Sequence, residues 1–376
     1  MLKVAIVGCG KIADQHAEEI AHISGCEIVG VCDREELMAK QLQERLGISA
    51  HFAEVRELLD RAKPDVVHIT SPPQSHYPVA KLCLENGCHV YIEKPFTMDF
   101  DEAEALIDLA DSKNLKLTVG HNAQFSHATN RMRHLVAEGY LGGPPVHLES
   151  YYCYDLGDPG YAKALLGDRH HWIRRLPGGL LQNTISHGIS KVAEFLSDED
   201  LHVVAYGFTS PLLRSIGETE ICDELRVIIH DRTTTAYFTF SSQMHPSLHQ
   251  LRIYGPKNGL ILDERQQTVL KLTGASYKSY LEQFLPPWDY AMQYARNSLG
   301  NMGKFLKADF HQGYGMKVLI QALYRSITDG TTVPIPYEEI LRTSRIMDQI
   351  FAQLSSSKKD VRALASAVMK TDSGLV

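Results

Sequence analysis

The N-terminal third alternates short apolar runs with amphipathic stretches. Val4-Ala5-Ile6-Val7 is apolar throughout and reads as a buried strand, followed by a glycine turn and a helical stretch from Asp14 to His22. Ile28 to Val31 reads as a second strand, with helices over Glu35–Leu46 and Glu54–Arg61. The pattern repeats as a strand at Asp65–Thr70, a helix at Pro78–Asn86, a strand at Cys88–Ile92, a helix at Asp101–Lys113 and a strand at Leu115–Gly120. Apolar strands without polar alternation are covered on both faces, and strands that alternate with helices form a parallel, doubly wound sheet. Such sheets take ligands beyond the carboxyl ends of their strands. Asp33, Ser71, Glu93, Lys94, His121 and Asn122 all fall at those ends.

The rhythm changes near residue 123. A helix over Phe125–Glu138 leads to Gly142-Gly143-Pro144-Pro145 and a strand over Val146–Tyr154. Asp155–Pro177 has no clear period, and Gly178-Gly179 opens a helical stretch to Leu196. Leu201 to Leu272 is mostly strand: Ala236, Phe238 and Phe240 alternate with Thr235, Tyr237 and Thr239, which marks a half-buried strand. Gly255 to Gly259 reads as a hairpin turn. Helices are expected over Tyr290–Phe310, Met316–Thr328 and Glu338–Leu354, with a frayed polar tail from Ser355. The expected architecture is an α/β Rossmann domain over residues 1–122 and an α+β domain with a largely antiparallel sheet over residues 123–376, serving substrate binding and oligomerisation.

Composition narrows the function. The chain has 376 residues, 44% of them hydrophobic, and a net charge of -7, which suits a soluble two-domain protein and opposes nucleic-acid binding. No leader segment or membrane-length apolar run is visible, so a cytoplasmic location is expected. The 7 cysteines are scattered and odd in number, as expected of reduced thiols. The histidines show no ligand spacing with Cys or a carboxylate, so no metal is expected.

Gly8-Cys9-Gly10-Lys11-Ile12-Ala13, between a strand and a helix, has the G-x-G-x-x-A form of a dinucleotide site. Gly8 permits the tight turn, Gly10 leaves room for a pyrophosphate, and the helix N-terminus beginning at Lys11 and Ile12 offers free N–H groups. Asp33 ends the second strand, where its carboxylate accepts from a ribose 2′-OH and repels a 2′-phosphate. NAD is therefore the expected cofactor. Arg34 keeps NADP open as an alternative, since it can hold that phosphate or stack on adenine. Ser71, Pro72, His76, Glu93, Lys94 and Asn122 complete the candidate cofactor residues.

Glu93-Lys94-Pro95 after the fifth strand, Gly120-His121-Asn122 leading to Phe125, Trp172 and Arg174 before Gly178-Gly179, His187 downstream, and Gly313-Tyr314 together resemble the glucose–fructose oxidoreductase / inositol dehydrogenase (Gfo/Idh/MocA) family. The resemblance spans nearly the whole chain. It implies hydride transfer between NAD(P) and a secondary hydroxyl of a sugar, sugar acid, nucleotide sugar or cyclitol. Such chemistry needs a proton acceptor and a positive charge beside the developing alkoxide. Lys94 and His187 fit those roles, and Glu93 suits the nicotinamide ribose. Tyr152, Trp172 and Arg174 are candidate substrate contacts, in a basic segment that begins at Arg169-His170-His171.

Asn183 departs from the family, which carries an acid there. Four residues before His187, it is expected on the same helix face. An amide can bind substrate or orient the imidazole but cannot raise its pKa. Two other readings stay open: an NAD-dependent glycoside hydrolase of the same fold, and a weakened NAD-binding regulator. A homo-oligomer, dimer or tetramer, is expected through the open sheet face. The apolar and basic residues of Tyr290–Phe310 suit a subunit contact better than a membrane surface.

Overall fold

The computed structural model describes residues 1–155, 171–274, 276–307, 309–310 and 313–372. Strands β1 (Leu2–Val7), β2 (Cys26–Cys32), β3 (His51–Phe52), β4 (Val66–Ile69), β5 (His89–Ile92) and β6 (Leu117–Val119) form one parallel sheet in the order β3-β2-β1-β4-β5-β6. The order reverses between β1 and β4, and this opens a crevice at Gly8 and Ser71. Helices α1 (Lys11–Ala21), α2 (Glu36–Leu46), α3 (Val55–Ala62), α4 (His76–Glu85) and α5 (Phe100–Ser112) accompany this sheet. They bury one apolar side each: Ala13, Ala17 and Ile20 on α1, and Ala103, Leu106 and Ile107 on α5, join Ile6, Val67 and Ile92 in one core.

The second sheet contains β7 (His147–Tyr152), β8 (His202–Phe208), β9 (Glu224–His230), β10 (Thr235–Ser241), β11 (His249–Tyr254), β12 (Asn258–Asp263) and β13 (Thr268–Thr273). Its order is β13-β12-β11-β7-β10-β9-β8, antiparallel except where β7 and β10 run parallel. The alternation read on β10 holds: Ala236, Phe238 and Phe240 are buried, while Tyr237 is exposed with Ile228 and Tyr206 on the open face. The remaining helices are α6 (His127–Ala137), α7 (Gly179–Thr184), α8 (Ser186–Ala193), α9 (Pro211–Ser215), α10 (Leu281–Leu306), α11 (Tyr314–Thr328) and α12 (Tyr337–Asp372). Helix α8 lies on the buried face. A Cβ at Gly188 would stand 2.4 Å from the Phe238 ring, so only glycine lets the helix approach this closely.

The chain then returns to the first core. Met316, Leu319, Ile320 and Leu323 of α11 are buried with the first sheet's residues, and a Cβ at Gly315 would sit 2.3 Å from the Asn122 carbonyl oxygen.

Three helices differ from the sequence reading. The stretch from Gly178 is two helices, interrupted at Ile185, so Asn183 and His187 lie on successive short helices rather than one. Ile185 keeps helical dihedrals (φ -78°, ψ -16°), and the two residues remain about one turn apart. Helix α10 begins at Leu281, nine residues before Tyr290, with Pro286 and Pro287 inside it. The prolines stand near its start, where each removes one N–H bond to the opening turn. Helix α12 continues past Leu354 to Asp372, through the tail expected to fray; Ala, Leu, Lys and Arg there are strong helix formers.

Candidate active site

Gly8 has φ +97°, and a Cβ there would lie 2.4 Å from the Ser71 backbone nitrogen. The glycine therefore serves both the left-handed turn and the contact with the β4 loop. Thr70 Oγ1 donates to the Gly8 carbonyl at 2.6 Å and fixes that contact. Gly10 caps α1 without a side-chain bond, and a Cβ there would meet nothing within 4 Å. Open space thus stands before a helix N-terminus, which fits a pyrophosphate. Asp33 Oδ2 accepts from Cys9 N at 2.7 Å and Oδ1 from Glu35 N at 2.9 Å. The acid therefore also braces the glycine turn, while each oxygen keeps a lone pair for a ribose hydroxyl. Burial, then Asp33, pushes the Cys9 thiol up to about 12.

At the end of β5, Glu93 is buried and accepts from His16 Nε2 at 3.0 Å and from Lys94 N at 3.2 Å. Burial raises its pKa most, but His16 and Lys94 together outweigh that and hold it below the usual carboxylate value. His16 Nδ1 lies 2.8 Å from His68 Nδ1, and His68 Nε2 lies 2.9 Å from Tyr324 Oη. A carboxylate only accepts, so His16 must donate from Nε2. In the neutral state its Nδ1 then accepts from His68 Nδ1–H, and His68 Nε2 accepts from the Tyr324 hydroxyl. One tautomer set thus satisfies a buried chain from α11 to Glu93. Sequence reading missed this chain because its members are far apart in sequence, and α11 had not been placed on the first sheet.

Lys94 crosses to the second sheet's side: its Nζ donates to the Asn183 carbonyl oxygen at 3.1 Å. Burial lowers its pKa, against the raising effect of Glu93. His187 is one turn further on. Burial, then Lys94, His121, Lys191 and His249, holds its pKa well below 6.5, so its imidazole is neutral near pH 7. Its Nδ1 is buried without a hydrogen-bond partner, the condition expected of a group awaiting a ligand. The His121 and Tyr152 rings stand 6.1 and 5.8 Å from the His187 ring, centre to centre.

Tyr152 stacks on His249 at 4.4 Å and accepts from the Tyr154 hydroxyl at 3.1 Å. Lys191 is buried, pairs with Glu264 and lies 5.3 Å from the Tyr152 ring centre. Tyr152, His249, Glu264, Arg265, Asn122 and Tyr314 all line a cavity of about 730 Å³, large enough for a sugar derivative. The sequence reading named Tyr152 as a substrate contact and Asn122 as a cofactor residue. It assigned no role to Lys191 and Glu264, whose pairing only the fold reveals. Among the described residues, no three of His, Cys, Asp and Glu are grouped to hold a metal.

Other candidates lie elsewhere. Arg174 pairs with Glu218 at 3.0 Å and lines a separate pocket of about 200 Å³ with Gly178, Ile221 and Phe351. Trp172 packs beside Ile173, Leu180, Leu213 and Ile221. Neither lines the larger cavity. The buried His76 ring lies between the Pro95 and Ser71 carbonyls, at 2.8 and 2.9 Å, and ties together the loops after β4 and β5. Ser71 Oγ bonds Ser75 Oγ at 2.6 Å; Lys11, Arg34 and Pro72 are exposed beside the crevice, and Ile12 is half-buried. Arg169 and His170 lie outside the described residues.

Residues 2–121 match the family model described as an oxidoreductase family with an NAD-binding Rossmann fold. The first domain belongs to the Gfo/Idh/MocA oxidoreductase family. It is accordingly an NAD-binding domain, as the open helix N-terminus and Asp33 indicate. The chain is 35% identical over 142 residues to D-glucoside 3-dehydrogenase of Escherichia coli, which covers 38% of this chain and 40% of that one. It is 34% identical over 149 residues to UDP-N-acetylglucosamine 3-dehydrogenase of Acidithiobacillus ferrooxidans, covering 40% and 44%. These matches span less than half the length of either curated relative. The fold extends further. A dehydrogenase from Chromobacterium violaceum, solved with NADH and UDP-GlcNAcA, superposes with a TM-score of 0.73 at 18% identity over 95% of this chain and 94% of that one.

Proposed function

We propose that the whole chain is a Gfo/Idh/MocA family member and an NAD-dependent oxidoreductase acting on a secondary hydroxyl of a sugar, sugar acid, nucleotide sugar or cyclitol. The observation that carries the reading is the meeting of Lys94, from the dinucleotide sheet, with the Asn183–His187 segment, next to Tyr152 on the wall of a large cavity. Gly8, Gly10, Asp33, Ser71 and Glu93 would hold the cofactor, which supplies the hydride acceptor when bound. Neutral His187 takes the hydroxyl proton at its unpartnered Nδ1. The Lys94 ammonium offsets the charge developing on the oxygen. Tyr152, stacked on His249, forms the apolar-faced wall that sugar rings favour.

Asn183, in place of an acid, removes one negative charge from this site, while Arg265 and His127 line the cavity. That balance suits an anionic substrate such as a sugar acid or nucleotide sugar. Asp33 favours NAD over NADP. Among the described residues no helix is long and apolar enough to cross a membrane. We place the enzyme in the cytoplasm, as a homo-oligomer, with residues 1–122 for cofactor and 123–376 for substrate and assembly.

The test is a screen of glycosides, UDP-sugars, sugar acids and inositols with NAD, following absorbance at the NADH band. Steady NADH formation with one class supports the reading, and none with any class contradicts it. A glycoside hydrolase is the second reading, because residues of this chain are 26% identical over 228 positions to a glycosyl hydrolase family 109 protein of Akkermansia muciniphila. It predicts release of an aryl aglycone without net NADH.

A further inference from the structure

Helix α10 has its polarity reversed. The side turned to the sheet is amide-rich, and the side turned to solvent is apolar. Gln293 accepts from Lys271 N at 2.7 Å and donates to Lys271 O at 3.0 Å. One turn on, Asn297 makes the same pair of bonds with Val269, at 3.4 and 3.1 Å. Asn301 donates to Gln266 O at 2.9 Å. Amides at four-residue steps thus satisfy the outer edge of β13, which would otherwise be an open strand edge.

The opposite face carries the unexplained feature. Leu281, Leu285, Trp288 and Met292 recur at steps of four and three residues, and Ala295, Leu299, Met302 and Leu306 continue the same steps. All are exposed, Trp288 and Leu299 each at 68%, and none belongs to a buried core. This is an unbroken coiled-coil repeat through more than three heptads, on a helix about 39 Å long. A soluble chain leaves so continuous an apolar face for a partner.

We infer that this face pairs with the same helix of a second copy, antiparallel about a two-fold axis. The charges select that occupant. Glu282 and Asp289 flank the stripe in its first half, and Arg296 flanks it on the same side in the second. Parallel pairing would set Asp289 beside Phe284 and Arg296 beside Ala291 and leave both charges unpaired. Antiparallel pairing with Leu299 opposite Trp288 brings Asp289 of one copy beside Arg296 of the other, twice per dimer. On the other flank it brings exposed Phe284 beside Phe305. Every apolar layer is filled in this register, from Leu281 opposite Leu306 to Met292 opposite Ala295. A self-complementary surface of this kind is what a two-fold interface requires.

Two measurements on the full chain test the pairing. Light scattering after size exclusion should give the wild type as a dimer or a multiple of one, and Leu299→Lys should halve that mass with unchanged circular dichroism. Mild oxidation of the double variant Trp288→Cys/Leu299→Cys should give a disulfide-linked dimer on a non-reducing gel, and Leu299→Cys alone should not. Dimer cross-linking by Leu299→Cys alone would overturn the antiparallel register. A mass unchanged by Leu299→Lys, together with no cross-link in the double variant, would overturn the interface. Sedimentation of the wild type with phosphatidylserine vesicles, lost in Leu299→Lys, would give the face to a lipid surface instead and overturn it as well.

Discussion

The Lys94 ammonium donates to the backbone carbonyl of Asn183 at 3.1 Å, and this bond joins the strand end of one sheet to the helix pair lying on the other. Because the acceptor is backbone, the Asn183 side chain can change without losing the bond. Asn183→Asp should therefore fold and keep Lys94 in place, while placing a negative charge about one turn from His187. An opposite charge favours the imidazolium, so the His187 pKa should rise. In the wild type that pKa lies well below 6.5, so activity in the oxidative direction should persist as pH falls below 6.5. The acid limb of kcat/KM should move upward by about a unit in Asn183→Asp, and KM for an anionic substrate should rise. Superimposable pH–rate profiles would contradict this.

Acid should destabilise the fold through its buried histidines. Burial, first among its causes, holds His121 at about 3, against an ordinary value of 6.5. The unfolded chain takes up a proton at that position below pH 6.5 and the folded chain does not. The contribution is therefore complete above pH 6.5 and is lost as pH falls towards 3. His249, held at about 4, acts in the same direction. At pH 5 His121 alone should cost about 2 kcal/mol. Urea midpoints at pH 7 and pH 5 measure this, and equal midpoints would sink the assignment.

Breaking the chain behind Glu93 should be costly. His16→Ala takes from the buried Glu93 carboxylate one of its two donors, leaving Lys94 N, and from His68 Nδ1 its acceptor. A loss of about 3–5 kcal/mol is expected. His68→Phe keeps the His16–Glu93 contact and should cost less. Chemical denaturation of both variants orders them, and the reverse order would contradict the assigned chain.

Asp33 serves two purposes, and its replacement should separate them. Asp33→Ser removes the charge that repels a 2′-phosphate, so the preference for NAD over NADP should shrink by about tenfold or more. It also weakens the hold on Cys9 N, so NAD itself should bind more weakly. Kinetics with both cofactors check the ratio; a ratio that does not change would show that Asp33 does not set the choice.

Much of the fold was legible because the first sheet is written in local periodicity. Each strand, turn and helix of the dinucleotide half has its own signal, and Gly8, Asp33 and Lys94 fall at strand ends in sequence order. The parts that escaped are long-range. Tyr324 reaches His68 across 256 residues, and Lys191 finds Glu264 only because α8 lies on the second sheet. The basic run ending in Arg174 suggested a substrate site, yet Arg174 is paired with Glu218. Helix α10 was expected from Tyr290, but it starts at Leu281 and carries Pro286 and Pro287 in its opening turns. Its start at Leu281 is what completes the apolar repeat.

The most direct test of the proposed activity is Lys94→Ala, with turnover and NAD binding measured side by side. The substitution removes the charge expected beside the reacting oxygen and leaves the glycine turn and Asp33 untouched. With the best substrate from the screen, kcat should fall by about 10²–10³ while the Kd for NAD stays within a few-fold of wild type. Near-wild-type kcat in Lys94→Ala, with NAD bound equally well, would contradict the account.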